Sequence, residues 1–443
     1  MTSPINHPPR AVELRIDARW MIPVEPDGLF ERHALLIDDG RIVAICPQHE
    51  ADAAFAAARH VACDEHVLIP GLVNAHTHAA MTLLRGIADD VPLDTWLEQH
   101  IWPRETRCVS AEFVYDGALL AVAEMLCGGI TCFNDMYFFP DATASACDAA
   151  GIRAMLGLPV LDFATAWAPD AEGCLQRGFD ARDAWKHSPL LVFALAPHAP
   201  YTVSDRTWSA IVTYARQLDL PIQTHVDETQ REVEQALAAT GERPLARLDR
   251  LGATGPGFIA IHCVHVDQAG VDLLARQGCH VVHCPASNMK LASGIAPVTE
   301  FLQRGVNVAL GTDGAASNNR LDLFAEMRLA GLLGKVVTGD AAALPAAMLL
   351  RMATLGGARA LGLDDSIGSL EIGKAADVVA VRLGDPETLP VFDPRSHLVH
   401  AAGREHVTDV WIAGRRVVDG GQLTTLDRTA VAARARSWQS RLR

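Results

Sequence analysis

No stretch of this sequence is apolar enough to cross a bilayer. The longest strongly apolar run, Leu190 to Ala196, falls far short of the roughly 20 residues a spanning helix needs. Met1 to Arg10 is polar and proline-containing, without a basic segment leading into an apolar one, so no secretory signal is expected. Basic excess is also lacking. Lys and Arg number 38 against 53 Asp and Glu, for a formal charge of -15. That balance argues against a nucleic-acid or anionic-membrane partner; it leaves room for a neutral ligand of nucleoside size. The 10 cysteines form no CxxC pair, and reduced thiols in the cytoplasm are the expectation. Cys279-His280-Val281-Val282-His283-Cys284 has the look of a zinc cluster, yet its alternation reads better as a strand. No low-complexity tract or long linker interrupts the chain. Its oligomeric state is left open, a homo-oligomer included.

What remains is an ordinary globular composition, 49% hydrophobic and 21% charged over 443 residues, enough for roughly two or three domains. The two ends read as β structure. Val12, Leu14 and Ile16 share a face, and Asp38-Asp39-Gly40 between two apolar runs is a hairpin signal. Asp377–Val381, Asp409–Ile412 and Arg415–Val418 match them at the far end. Both ends are expected to build one small β-sandwich, residues 1–66 with residues 371–443, closed by a helix over Thr429–Arg443.

Between them, residues 67–370, eight β-rich runs alternate with helical stretches. The runs are Val67–Val73, Gly129–Met136, Arg153–Val160, Leu190–Pro197, Pro221–His225, Gly257–Val264, His280–Pro285 and Val306–Thr312. Eight such units predict an α/β fold of the closed (β/α)8 TIM-barrel type; an open doubly wound sheet would gather its ligand at one switch point instead.

Barrel chemistry sits at the C-terminal ends of the strands. Those ends carry His76 and His78, His198, His225, His262, His283 and Asp313. A single such histidine is usually a core residue; repetition at equivalent strand ends points to a site. His76, His78, His225 and Asp313 suit one divalent cation per subunit, Zn2+ by preference, with a water acidified beside it. Glu228, three residues beyond His225, is a candidate general acid/base, or else a first-turn helix glutamate. His262 reads either as a catalytic partner or as a histidine supporting the ligands. Asp313 both binds metal and can take a water proton. Two-metal barrel hydrolases commonly bridge their ions through a lysine at the end of the fourth strand; here that end reads Ala196-Pro197-His198, so a single ion is expected.

Together with Pro70–His78, Leu84-Arg85-Gly86, Trp96-Leu97, Asp135-Met136-Tyr137-Phe138, Pro197–Tyr201, His262–His265, Pro285–Leu291 and Gly311–Asn319, these residues resemble the amidohydrolase superfamily. Within it they are most similar to the 5'-methylthioadenosine/S-adenosylhomocysteine deaminases. The resemblance implies hydrolytic deamination of an adenine nucleoside thioether (adenosine itself included) at C6 by a metal-activated hydroxide. Glu228, His262 and Asp313 would be catalytic. Trp96, Glu105, His198, Glu228 and Ser317 would bind substrate, Glu105 through the ribose hydroxyls. A deaminase or hydrolase of another purine, cytosine or a triazine is the alternative, and a metal-free assembly protein a distant third. Relatives that grip a homocysteine carboxylate are expected to use arginines after the third strand. Arg153–Pro159 ends without one, and Arg177 and Arg182 come later, so an uncharged methylthio tail is expected to be preferred.

Overall fold

The computed structural model describes residues 9–442. The first eight residues, and the last residue of the expected terminal helix, lie outside them. Among the described residues no helix is long and apolar enough to cross a membrane.

Both chain ends form one mixed eight-stranded sheet. Its strands are β1 (Arg10–Met21), β2 (Phe30–Asp38), β3 (Arg41–Pro47) and β4 (Phe55–Pro70) from the beginning of the chain. Four more, described below, come from its end. Asp39 and Gly40 turn the β2–β3 hairpin with φ of 48° and 68°, as the Asp-Asp-Gly signal predicts. A Cβ on Gly40 would lie 2.7 Å from the Ala413 carbonyl. The two arms of the sheet therefore face one another across Leu14, Ile16, Ile37, Leu68, Val378 and Trp411.

The barrel follows: β5 (Leu72–Thr77), β6 (Ile130–Asp135), β7 (Arg153–Val160), β8 (Leu191–Pro197), β9 (Ile222–Val226), β10 (Phe258–His262), β11 (His280–His283) and β12 (Asn307–Leu310). They pair in sequence order, all parallel. The chain then returns to the first sheet through β13 (Val378–Arg382), β14 (Val407–Ile412), β15 (Arg415–Asp419) and β16 (Gln422–Leu423). A helix, Arg428–Leu442, ends the described chain.

The first barrel strand differs from the expected Val67–Val73. Val67–Pro70 pairs with β13 in the end-built sheet, and the chain crosses into the barrel at Gly71. Only glycine fits that crossing, since a Cβ there would lie 2.0 Å from the Thr131 hydroxyl oxygen. The single apolar run is two strands in two sheets. Two further elements were not legible. The alanine-rich start of β4 looks helical, but it is drawn into a strand parallel to β1. The helix Ala171–Trp185 contains Gly173 and Gly178, which obscure its pattern; Gly178 lets it pack against Leu158, which a Cβ would meet at 3.1 Å.

Six helix starts are fixed locally. Ser110, Asp170, Ser204, Thr229, Asp267 and Asp322 accept hydrogen bonds from the first-turn N–H groups of the helices they precede. Such caps satisfy donors a helix start otherwise leaves open. Inside the barrel, Val73, Ala75, Met155, Ala196, Ile261 and Val282 fill the lumen. The seam between the first and last strands closes through Asn74. Its Nδ2 donates to the Thr312 hydroxyl (2.8 Å) and its Oδ1 accepts from the Thr312 N–H (3.0 Å). The His76 carbonyl accepts from the N–H of Thr312 (3.1 Å) and of Asp313 (3.0 Å).

Candidate active site

The C-terminal ends of the barrel strands surround a cavity of about 290 Å³. His76 ends within β5 and His78 just past it; His225 lies on β9, and Asp313 follows β12. One potential ligand atom from each lies within 4.8 Å of all the others. His76 Nε2 is 3.2 Å from His225 Nε2, and Asp313 Oδ1 is 3.4 Å from His76 Nε2 and 3.2 Å from His78 Nε2.

The outer nitrogens decide what the inner ones can do. His225 Nδ1 donates to the His198 carbonyl (2.7 Å), and His78 Nδ1 donates to the Met136 carbonyl (2.5 Å). In the neutral ring each Nε2 then carries a lone pair. Burial holds His76 down at about 4 and His225 well below its ordinary value. For His78 burial also acts downward, but the hydrogen bond and charge of Asp313 raise it to about 9. Three imidazoles and a carboxylate thus converge on one point, where His78 and Asp313 together favour a positive charge that a bound cation can supply in place of the His78 proton. The donor set fits a divalent ion of the zinc type.

Asp313 is tied down from three sides. Ser287 (2.6 Å) and Ser317 (2.9 Å) donate to its Oδ2, and the Gly314 N–H donates to Oδ1 (2.8 Å). Burial opposes its ionisation, yet the hydrogen bonds of His76 and His78 hold it well below the usual carboxylate range. Glu228 follows the strand end of His225 and is 8% exposed. Burial, then the charge of Asp313, raises its pKa, with His262 acting the other way. Its Oε2 is 3.8 Å from His262 Nε2, and its Oε1 accepts from the Ser293 hydroxyl (3.4 Å). His262 Nδ1 donates to Asn288 Oδ1 (2.8 Å), leaving Nε2 as the acceptor that faces Glu228. Four residues here adopt left-handed backbone: Asp227 (φ 51°), His262 (72°), Cys263 (49°) and Asp313 (58°). Strain of this kind gathers at functional sites.

Away from this cluster the cavity is apolar and aromatic, with Trp96, Trp102, Phe138, Leu161 and Phe163 among its walls. Glu105 lines it too and accepts from the Tyr137 hydroxyl at Oε1 (2.6 Å). Burial raises the Glu105 pKa against that hydrogen bond. His198 lines the cavity, with burial holding it down at about 4. Ser317 lines it as well, although its hydroxyl is engaged by Asp313. Every site residue expected from the sequence except His76 therefore lines this one cavity; His76 is fully buried beneath it, among the ligand atoms.

His283 does not join them. It points outward from the barrel into a separate small cleft with Val298, Leu333 and Val337, because alternate residues of β11 face opposite sides. Tyr137, Ser287, Asn288 and Ser293 support the site without having been singled out. Tyr137, Ser287 and Asn288 sat inside motifs already noted; Ser293 carried no signal. Arg177 is occupied elsewhere: it donates to the Trp167 carbonyl, and its guanidinium lies 5.8 Å from that residue's ring centre. Arg182 pairs with Asp183. Among the described residues no lysine or arginine lines the cavity.

Comparison with known proteins agrees with this geometry. The amidohydrolase family model matches residues 67–417. A 5-methylthioadenosine/S-adenosylhomocysteine deaminase of Teredinibacter turnerae is 47% identical over 435 residues, covering 97% of this chain and 98% of that protein. A 5'-deoxyadenosine deaminase of Methanothermobacter thermautotrophicus is 43% identical, covering 90% and 92%. The crystal structure of an adenosine deaminase from Xanthomonas campestris with bound zinc superposes with a TM-score of 0.97 at 49% identity, covering 98% of this chain and 99% of that one. The chain belongs to the amidohydrolase family.

Proposed function

We propose that this chain is a zinc-dependent aminohydrolase that deaminates adenine nucleosides bearing a neutral 5' substituent, 5'-methylthioadenosine foremost. Water replaces the C6 amino group of the ring; the products are the 6-oxo nucleoside and ammonia. The relatives named as deaminases of adenine nucleosides support that class of substrate. The observation that carries the reading is the meeting, in one cavity, of the four-ligand cluster, a buried Glu228 and a second carboxylate, Glu105, among apolar walls.

His76, His78, His225 and Asp313 would hold the ion, which supplies Lewis acidity toward water when bound. Glu228, kept toward its protonated form by burial, gives a proton to the ring nitrogen next to C6 and later assists departure of ammonia. His262 Nε2 and the ionised Asp313 are the acceptors for the protons that water gives up. Glu105 takes the ribose hydroxyls, while His198 and Trp96 contact the base and the 5' group. A homocysteine carboxylate would find no lysine or arginine among the described residues that line this cavity. An unpaired buried charge costs on the order of 1–3 kcal/mol or more, a factor of about 10–100.

An ammonia-release screen tests both parts, using 5'-methylthioadenosine, S-adenosylhomocysteine, adenosine, guanine and cytosine. The expected result is a kcat/KM for methylthioadenosine at least about 10-fold above that for S-adenosylhomocysteine. The reverse order would overturn the tail preference. Turnover of guanine or cytosine alone would overturn the nucleoside reading.

A further inference from the structure

We infer that Glu232 is a positioning residue for Glu228. The inference rests on Glu228 being the proton shuttle. β9 ends at Val226, and the chain must then turn sharply to point Glu228 into the cavity. Asp227 makes that turn in the left-handed region, at φ 51°, where a residue with a Cβ stays only when its surroundings hold it. Glu232 supplies the hold. Its Oε1 accepts the N–H of Asp227 (3.2 Å), and its Oε2 accepts the N–H of Glu228 itself (2.8 Å). Glu232 is in turn fixed by its own N–H, which donates to the Thr229 hydroxyl (3.1 Å) at the start of helix Gln230–Thr240. In an ordinary capping box the third helical residue reaches back to the cap; here it reaches further, to the two residues that aim the shuttle. Glu232 is buried and lines no part of the cavity, so it does not meet the substrate.

A glutamine at this place can accept only one of the two N–H groups, and its own amide hydrogens oppose the other. Misplacement of a catalytic group by about 1 Å can cost on the order of 100-fold in rate. The test is a double-mutant cycle with Glu232→Gln and Glu228→Ala, read as kcat and KM on 5'-methylthioadenosine together with bound zinc. We expect Glu232→Gln to lower kcat about 10–100-fold, with KM and zinc content unchanged. In the Glu228→Ala background it should have no further effect on the residual rate. An equal loss in both backgrounds, or loss of zinc, would overturn the inference, since Glu232 would then act on the whole site. If Glu228→Ala alone leaves kcat intact, the shuttle reading falls, and the inference with it. Should the Gln variant not fold, Glu232→Asp passes through the same cycle. It keeps the carboxyl group but shortens the reach, and the same outcomes decide.

Discussion

Glu105→Gln separates a nucleoside deaminase from a hydrolase of free bases. The substitution keeps the shape of the side chain and removes its charge. Tyr137 occupies Oε1, so the sugar meets a carboxylate already anchored on one side. A hydrogen bond to a charged acceptor contributes about 1.5–3 kcal/mol, and to a neutral one about 0.5–1.5. The loss is therefore about 1–1.5 kcal/mol for each hydroxyl and about 2–3 for the 2'- and 3'-hydroxyls together. At 1.4 kcal/mol for each tenfold, kcat/KM on 5'-methylthioadenosine should fall roughly 30- to 150-fold. Steady-state ammonia release from the wild type and the variant measures it. The 2',3'-dideoxy analogue, which has no hydroxyls to offer, serves as the control and should be handled equally by both proteins. An unchanged kcat/KM on the riboside would refute the assignment of Glu105. It would point instead to a substrate without a sugar.

Two further outcomes follow from buried charges outside the cavity. Asp377 pairs with Arg153 through two hydrogen bonds (2.7 and 3.2 Å), with side-chain exposures of 1% and 13%. Asp377→Ala strands the guanidinium at the junction of barrel and end-built sheet and should cost about 3–5 kcal/mol in denaturant unfolding; a cost below about 1 kcal/mol, the range of an exposed pair, would refute that account. Burial pushes Glu326 up from 4.5 to about 8, so the folded chain keeps a proton that the unfolded chain releases. Stability should therefore fall as pH rises through roughly 4.5 to 8. Glu326→Gln, which cannot ionise, should gain in Tm over the wild type progressively from pH 5 to pH 8.5; a difference that does not grow with pH would exclude Glu326 as the cause.

The clustering of the proposed metal ligands could be read in advance because a parallel barrel converts a one-dimensional regularity, a polar residue after each apolar run, into a spatial one. His76, His78, His225 and Asp313 all obey it. His283 obeys the same regularity and still faces away, because strand ends alternate in direction and β11 supplies no marker of which residue turns inward. The start of the barrel was misplaced for a related reason. Apolar character is continuous from Val67 through Val73, and only the crowding of Gly71 against Thr131 reveals a change of sheet. Glu232 was invisible as a partner of Glu228, because a glutamate in the first turn of a helix already has an ordinary explanation in the helix dipole. Glu105 gave no signal of its own; nothing in Trp102–Cys108 marks it apart from a solvated helix glutamate until Tyr137 and the cavity walls are in place.

The seam of the barrel has a consequence for how the protein comes into being. His76 belongs to the first barrel strand and Asp313 to the turn after the last, and the His76 carbonyl itself accepts the N–H of Asp313. A chain emerging from the ribosome carries His76, His78 and His225 long before Asp313 exists. Until the eighth strand docks against the first, the three imidazoles of the proposed zinc site lack their carboxylate and the affinity it would bring. On the proposed ligand set, tight metal binding would therefore mark ring closure, and a truncated or mis-registered barrel would remain poor in zinc.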